Sequence, residues 1–425
     1  MNMRLFVIGV CGTLMSGVAR LGVDLGFEVI GIDQAFNPPV SDALAEMKIQ
    51  LIEHYPNKVV VNDSDLVVVG NKVSRSLPLI QFLIANQVKL YSAPEWLECF
   101  VLRKRSVIAV AGCHGKTSTS AMVAHLLSEL GEDCGYLIAG ALCSGKPAAH
   151  LGSSKYFVIE ADEYDSAFFD KRPKFMHYWP SHLILGKIEF DHADIYDDFS
   201  DVLKQYKYLL RLLPEGANVV SQDLPLALCD QINAFSLKHH RVASNKIDYP
   251  LSIKGAFNQT NAALAIQLVH ALGFKRGLCE QLICTFKGVK RRCEQVYNNK
   301  VEVLDDHAHH PTALNSLLDS FDHQRIHLVY HPATHTQKLD VHIAQTIKAL
   351  NRVEFPMVLL PKAHALKTAV YEQASIRVLH EVALIDSIMQ QVEEGDKIIF
   401  ATPYQLTDLM TSLIEQLEKK YCELL

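Results

Sequence analysis

A chain of 425 residues is too long for one ordinary hydrophobic core, so two or three domains are expected. With 49% hydrophobic and 21% charged residues the composition is that of a soluble globular protein. The net charge of −6 argues against a broad basic surface for nucleic acid or anionic lipid, so a polyanionic small molecule would need a local site. The 10 cysteines are scattered, form no C-x-x-C and come closest at Cys279 and Cys284, which excludes a zinc knuckle or disulfide framework and fits a reducing, cytoplasmic setting.

The first residues, MNMRLFVIGVCGTLMSGVA, have the basic and apolar character of a signal peptide. Gly9 and Gly12 break the run, however, and a second strand follows at once, so a strand–turn–helix is expected instead. RLFVIGV (Arg4–Val10) reads as a buried strand, Met15–Leu25 as a helix, and FEVIGID and DLVVVG as further strands. The pattern restarts after Arg103–Arg105. SVIAVAG, YFVIEAD and HLILGKI are strands there, and Ser118–Leu130, Asp197–Leu213 and Asn258–Leu272 are helices. It restarts again after GVKRRCE, with strands VEVLDD, RIHLVYH, FPMVLLP and DKIIFAT and a helix opening at Pro311. This is an α/β order three times over, with no apolar run long and uncharged enough to span a membrane.

Each chemically suggestive segment sits just after a strand. In GVCGTLMSG, Gly9, Gly12 and Gly17 free backbone N–H groups to approach a phosphate at a helix N-terminus, or else serve tight strand–helix packing. Their spacing is not G-x-G-x-x-G, so no nicotinamide cofactor is indicated. AVAGCHGKTSTS nearly matches G-x-x-x-x-G-K-[ST], except that Val110 stands where the first glycine belongs. Gly112 and Gly115 let the backbone fold around phosphate oxygens. Lys116 supplies charge for the outer phosphates, and Thr117 offers a hydroxyl to Mg²⁺. The bland reading is a chance Gly-Lys-Thr at a helix start.

Downstream, VIEADEYDSAFFDKRPKF carries Glu160, Asp162, Glu163 and Asp165, oxygen donors suited to a hard cation or else a solvated acidic loop. EFDHADIYDD adds His192 beside Asp191 and Asp194, either a metal ligand or a structural histidine. DDHAHHPT (Asp305–Thr312) looks like a metal cluster of a phosphoesterase class, or a loop leading into a helix at Pro311.

Taken in order, GVCGTLMSG, AVAGCHGKTST, IEADEYDSAFFDKRPKF, IEFDHADIYDDF, GAFNQTNAALAI, GVKRRCE and DDHAHHPTA resemble the Mur ligases, the ATP-dependent amide-forming enzymes of peptidoglycan assembly. The likeness covers most of residues 1–320 and fades beyond. It implies three domains: a Rossmann-like UDP-sugar-binding domain (1–103), a central P-loop ATPase-like parallel sheet (104–288) and a Rossmann-like peptide-binding domain (289–425). EADEYD with AFFDKR resembles the branch that joins UDP-N-acetylmuramate to L-Ala-γ-D-Glu-meso-diaminopimelate in cell-wall recycling. The alanine-adding branch, which begins Glu-Ala-Asp-Glu-Ser-Asp, is the alternative.

The resemblance also implies roles. Gly9, Cys11, Gly12, Thr13 and Ser74 would contact UDP-N-acetylmuramate, with His309 in the junction motif. Gly112, Cys113, His114, Gly115, Lys116, Thr117 and Ser118 would hold ATP, with Asn258 and Asn261 at the adenine and Arg292, Asp305 and Asp306 reaching the nucleotide. Thr117, Glu160 and His192 would hold Mg²⁺, and Lys116, Glu160 and His192 would serve catalysis. The substrates are small molecules; neither nucleic acid nor membrane is implied, and the number of subunits is not legible.

Several positions depart from the pattern. Cys113 replaces a threonine, Gly186-Lys187 an asparagine pair, Phe257 a histidine and His307 an aromatic residue. In PATHTQK (Pro332–Lys338) the family's arginine is Ala333, with His335 or Lys338 as substitutes for its charge, and ATPYQLTDLM replaces a glycine-rich stretch. These changes keep open a nucleotide-binding protein of the same fold that has lost ligase activity.

Overall fold

The computed structural model describes residues 3–36, 40–243, 248–321, 324–332, 337, 341–360 and 365–422. They form two compact units. One comprises Met1–Asp191, Ile195–Pro250 and Thr260–Lys287; the other comprises His192–Asp194, Leu251–Gln259 and Gly288–Leu425. The class is α/β, with parallel pairing dominant in every large sheet.

The first unit opens with five parallel strands: β1 (Arg4–Ile8), β2 (Glu28–Asp33), β3 (Gln50–Glu53), β4 (Leu66–Val69) and β5 (Leu90–Ser92). Their order is β3-β2-β1-β4-β5, so the chain reverses direction between β1 and β4 and leaves a crevice beyond their carboxyl ends. Side chains alternate along β1: Leu5 and Val7 enter one apolar cluster and Phe6 and Ile8 another, as two-sided burial requires. The expected strand Arg4–Val10 stops at Ile8 because Gly9 turns the chain at φ 83°.

A second sheet in the same unit contains β6 (Ser106–Ala111), β7 (Gly135–Leu137), β8 (Ala149–His150), β9 (Tyr156–Ala161), β12 (His182–Leu185), β13 (Asn218–Ser221) and β14 (Lys238–Arg241), in the order β14-β13-β12-β6-β9-β7-β8. Only the β7–β8 pair in it is antiparallel. Between β9 and β12, β10 (Asp165–Ala167) and β11 (Asp170–Pro173) form a separate hairpin. A helix over Lys116–Glu129 follows β6 directly, two residues earlier than the expected start at Ser118.

One continuous apolar cluster joins both sheets, running from Leu5, Val7 and Val18 through Leu137, Phe157 and Leu183. Gly17, on the helix after β1, sits where a Cβ would lie 2.1 Å from Leu137 Cδ1 and 3.5 Å from Ala149 Cβ. Its role is therefore close packing of that helix on β7 and β8, and of the two readings of this glycine only packing has support.

In the second unit, β15 (Glu294–Asn298), β16 (Glu302–Asp306), β17 (Ile326–Tyr330), β18 (Phe355–Leu359), β19 (Arg377–Leu379) and β20 (Lys397–Ala401) are ordered β15-β16-β20-β17-β18-β19. Only the edge strand β15 is antiparallel. Alternation again splits β17, with Leu328 and Tyr330 on one side and Val329 on the other. Of PATHTQK, only Pro332 and Gln337 are described, so Ala333, His335 and Lys338 lie outside the described residues. Among the described residues no helix is long and apolar enough to cross a membrane.

Gly17→Ala is expected to destabilise the first unit by about 1–3 kcal/mol through overpacking. Combining it with Leu137→Ala should cost less than the sum of the two single changes, measured by urea unfolding.

Candidate nucleotide-binding site

The loop between β6 and its helix is built by two glycines that no other residue replaces easily. Gly112 has φ 122°, and a Cβ there would lie 3.0 Å from the Gly186 backbone. Gly115 has φ 75°, and a Cβ there would lie 2.5 Å from Asn261 Oδ1. The backbones lock together: Gly186 N donates to Ala111 O (2.8 Å) and Cys113 N to Lys187 O (2.8 Å). The approach is tight on both sides, since a Cβ on Gly186 would be 3.1 Å from His114 O. Glycine at 186, a departure from the family pattern, thus fits the close contact made there.

Cys113 is tied in by its thiol, which donates to Glu189 O and accepts from Glu189 N, both at 3.2 Å. Burial pushes that thiol well above its ordinary value, so it is a neutral hydrogen-bonding group. His114 Nε2 lies 2.7 Å from Glu189 Oε2, and Glu189 also pairs with Lys187 at 2.8 Å.

Gly115 caps a helix whose first residues are Lys116, Thr117 and Ser118, so backbone N–H groups that have no acceptor within the helix gather at this end. The Lys116 ammonium lies 3.1 Å from Glu163 Oε2 and 3.4 Å from Asp162 Oδ1. Burial lowers its proton affinity, but Glu163 and Asp162 together outweigh burial and the pKa is raised, so Lys116 stays charged. Glu163 is 1% exposed; its carboxylate also accepts from Tyr206 (3.3 Å), and its backbone carbonyl accepts from Tyr196 (2.6 Å).

Thr117 Oγ1 donates to Glu160 Oε2 at 3.1 Å, and Glu160 Oε1 accepts from Ala139 N at 2.5 Å. A hydroxyl and a carboxylate therefore meet at the helix N-terminus, an oxygen-only donor set that fits a hard divalent cation. His192 has left-handed backbone (φ 57°) and belongs to the second unit.

The turn after β1 is organised by Asp33 at the end of β2. Its carboxylate accepts from Cys11 N (2.8 Å), Gln34 N (2.7 Å) and Tyr55 OH (3.2 Å). Burial, with Asp33 alongside, pushes the Cys11 thiol up to about 12. Gly9 meets the loop after β4, where a Cβ would lie 2.9 Å from Val73 Cγ2. Gly12 precedes the helix Thr13–Asp24 without a side-chain cap, and Thr13 is exposed beside it. Ser74, in the loop after β4, pairs with Ser76 Oγ at 2.8 Å. Both loops leave the carboxyl ends of β1 and β4, at the reversal point of the sheet.

In the second unit, Asp306 accepts from Cys293 N and Ala308 N, both at 2.6 Å. Asp305 pairs with Arg291 Nε at 3.1 Å. Arg291, with φ 60°, also donates to the carbonyls of Thr402 and Tyr404 (2.6 Å each). Arg291 rather than Arg292 is thus the partner of Asp305; Arg292 acts on Asp306 through its charge. His309 Nδ1 lies 2.9 Å from His307 O, and His310 caps the helix Pro311–Leu318 by accepting from Thr312 N at 3.2 Å. DDHAHHPT is therefore a braced turn into a helix. Within it, among the described residues, no three candidate ligand atoms converge. Asn258 is fully buried, donates to Lys254 O at 2.6 Å, and also belongs to the second unit, whereas Asn261 lies against Gly115 in the first.

Comparison with known proteins decides the family. Residues 5–105 match "Mur ligase family, catalytic domain" and residues 291–402 match "Mur ligase, glutamate ligase domain". The UDP-N-acetylmuramate–L-alanyl-γ-D-glutamyl-meso-2,6-diaminoheptandioate ligases of Escherichia coli (strain K12) and Haemophilus influenzae are each 32% identical, over 98% of this chain and 99% and 100% of their own. The chain belongs to the Mur ligase family.

A murein peptide ligase from Psychrobacter arcticus, 27% identical, superposes with a TM-score of 0.74 over 98% of this chain and 99% of its own. As a Mur ligase the chain is an ATP-dependent amide-forming enzyme, its three large sheets fit the α/β fold expected of the family, and the phosphoesterase reading has no support. Sequence reasoning named Glu163 only as one of four possible cation donors, not as the partner of Lys116, and left Tyr206, Arg291 and Asp33 without roles. Glu163 was visible as one acid among four; nothing local distinguished Arg291 from Arg292, and Tyr206 came from a helix read only for its period.

Two outcomes are expected. Gly115→Ala adds a Cβ in left-handed backbone, a strain of about 1–3 kcal/mol, and should weaken ATP binding roughly tenfold or more by calorimetry. Asp305 is raised to about 6, first by burial and against the pull of Arg291. Its proton therefore favours the folded state below the ordinary carboxylate range, and that stability is lost as pH rises to about 6. Asp305→Asn should flatten this decline in unfolding titrations that bracket the window.

Proposed function

We propose that this Mur ligase joins UDP-N-acetylmuramate to L-alanyl-γ-D-glutamyl-meso-diaminopimelate in the cytoplasm, as part of cell-wall peptide salvage. Support for the substrates comes from the relatives at 32% identity, whose names state them, and from the near-complete coverage of both chains. The observation that carries the chemistry is the charged Lys116 held at a glycine-built helix N-terminus by Glu163 and Asp162.

In this reading the triphosphate lies along the loop Gly112–Thr117, with backbone N–H groups and Lys116 toward its outer phosphates. Lys116 exchanges part of its pairing with Glu163 and Asp162 for phosphate oxygens and offsets the negative charge that spreads during transfer. Thr117 and Glu160 would hold Mg²⁺, with His192 as a further proposed ligand; the ion would supply charge neutralisation at the phosphates. The lactyl carboxylate of the muramate attacks the γ-phosphorus and ADP leaves, giving an acyl phosphate. The amino group of the peptide then attacks the acyl carbon, phosphate leaves and the amine's proton is released.

The remaining assignments follow the same reading. Gly9, Cys11, Gly12, Thr13 and Ser74 face the UDP moiety at the crevice of the first sheet, and His309 belongs to the same substrate's site. Asn258 and Asn261 serve the adenine, while Arg292, Asp305 and Asp306 serve the nucleotide.

The test offers purified protein ATP, Mg²⁺ and UDP-N-acetylmuramate with either tripeptide or L-alanine. ADP formation that requires both the sugar nucleotide and the tripeptide is expected. Turnover with L-alanine alone would assign the other branch, and ATP binding without turnover would assign a ligase-dead protein. Lys116→Ala should lower turnover by at least about a hundredfold with circular dichroism unchanged.

A further inference from the structure

The hairpin β10–β11 has no role in the chemistry described above, yet it is braced at every level. At its base Lys174 Nζ donates to Asp162 Oδ2 at 2.5 Å, on the same carboxylate whose other oxygen faces Lys116. Across it, Ser166 Oγ donates to Arg172 O at 2.9 Å. Next to its turn, Asp170 receives Arg172 through Nε (2.9 Å) and a second guanidinium N–H (3.0 Å), and lies 2.7 Å from His177 Nε2. His177 is itself buried, with its other nitrogen 3.6 Å from Glu98.

The turn holds two consecutive aromatic residues that are used differently. Phe168 packs against the apolar cluster of the first sheet, which includes Val73 and Leu77 of the loop after β4 and Tyr55, whose hydroxyl bonds Asp33. β10 also packs on the helix Ala93–Leu97 that follows β5. The hairpin tip is therefore anchored on the apolar cluster that extends to the loop after β4. Phe169 meets Phe168 edge to face, with centroids 5.0 Å apart at 83°, and remains 40% exposed. A ring held by an anchored neighbour on a braced turn has little freedom to lose when a planar ligand lands on it.

We propose that Phe169 is a specificity-determining residue for the sugar nucleotide, presenting a face on which the pyrimidine base stacks. This rests on the assignment of UDP-N-acetylmuramate to the crevice of the first sheet. Lys174 and Asp170 are positioning residues that fix the hairpin bearing the ring.

Calorimetric titration with UDP-N-acetylmuramate alone, without ATP or peptide, tests the inference apart from ligase activity. Phe169→Ala should weaken binding by about fivefold or more, as loss of one base–aromatic stack does. Phe169→Trp should restore it to within about twofold of the parent, since a larger π-face stacks at least as well. Affinity for a non-hydrolysable ATP analogue and the melting temperature should not change. Unaltered binding by Phe169→Ala, no recovery in Phe169→Trp, or an equal loss for the ATP analogue would overturn the role of Phe169 while leaving the substrate assignment standing. No binding of the sugar nucleotide by the unsubstituted protein would overturn both.

Discussion

A buried positive charge is tolerable only if negative partners meet it, and the first unit is arranged around that constraint at Lys116. The ammonium is held by Glu163 and Asp162, which come from the segment after β9, while Lys116 itself follows β6. Adjacent parallel strands in register bring both segments to one end of the sheet: Val110 pairs with Glu160 and Ala111 with Ala161. Breaking a buried pair by removing one partner costs several kcal/mol, about 3–5 where it has been measured. Tyr206 and Tyr196 support Glu163 from the helix Phe199–Leu210 and the segment before it, so the acid side of the pair is fixed before any nucleotide arrives.

Most of the architecture was legible in the sequence because long buried strands announce themselves. SVIAVAG, YFVIEAD and RIHLVYH are apolar runs bounded by polar turns, and the structure trims each by one or two residues. Several of the elements that escaped carry no such run. β3 is QLIE, β14 is KHHR and β10–β11 is DSA and DKRP; each is short and gains its pairing from a neighbour already in place.

The site was legible as residue types but not as partnerships. Gly-Lys-Thr after a strand marked a glycine-built loop at a helix start even with Val110 in place of a glycine, because Val110 is the penultimate residue of β6 and the loop starts beyond it. That Glu163, among four acids, would be the one buried against Lys116 depends on tertiary packing by Tyr196 and Tyr206. Similarly, DDHAHHPT resembled a metal cluster because two acids are followed closely by three histidines in it. In the fold, Asp306 turns to backbone amides and His310 to the helix start, uses that spacing alone does not distinguish.

The apolar cluster that runs from β1 through the helix bearing Gly17 into β7 and β9 makes one cooperative body of the first two sheets. A fragment cut near Arg103 would leave Val18 and its neighbours facing water, so the lobe built on the first sheet is poorly suited to expression by itself. The same seam limits shuffling among relatives: a transplanted lobe would have to bring a surface shaped to accept Leu137 and Ala149, whatever its own ligand preferences.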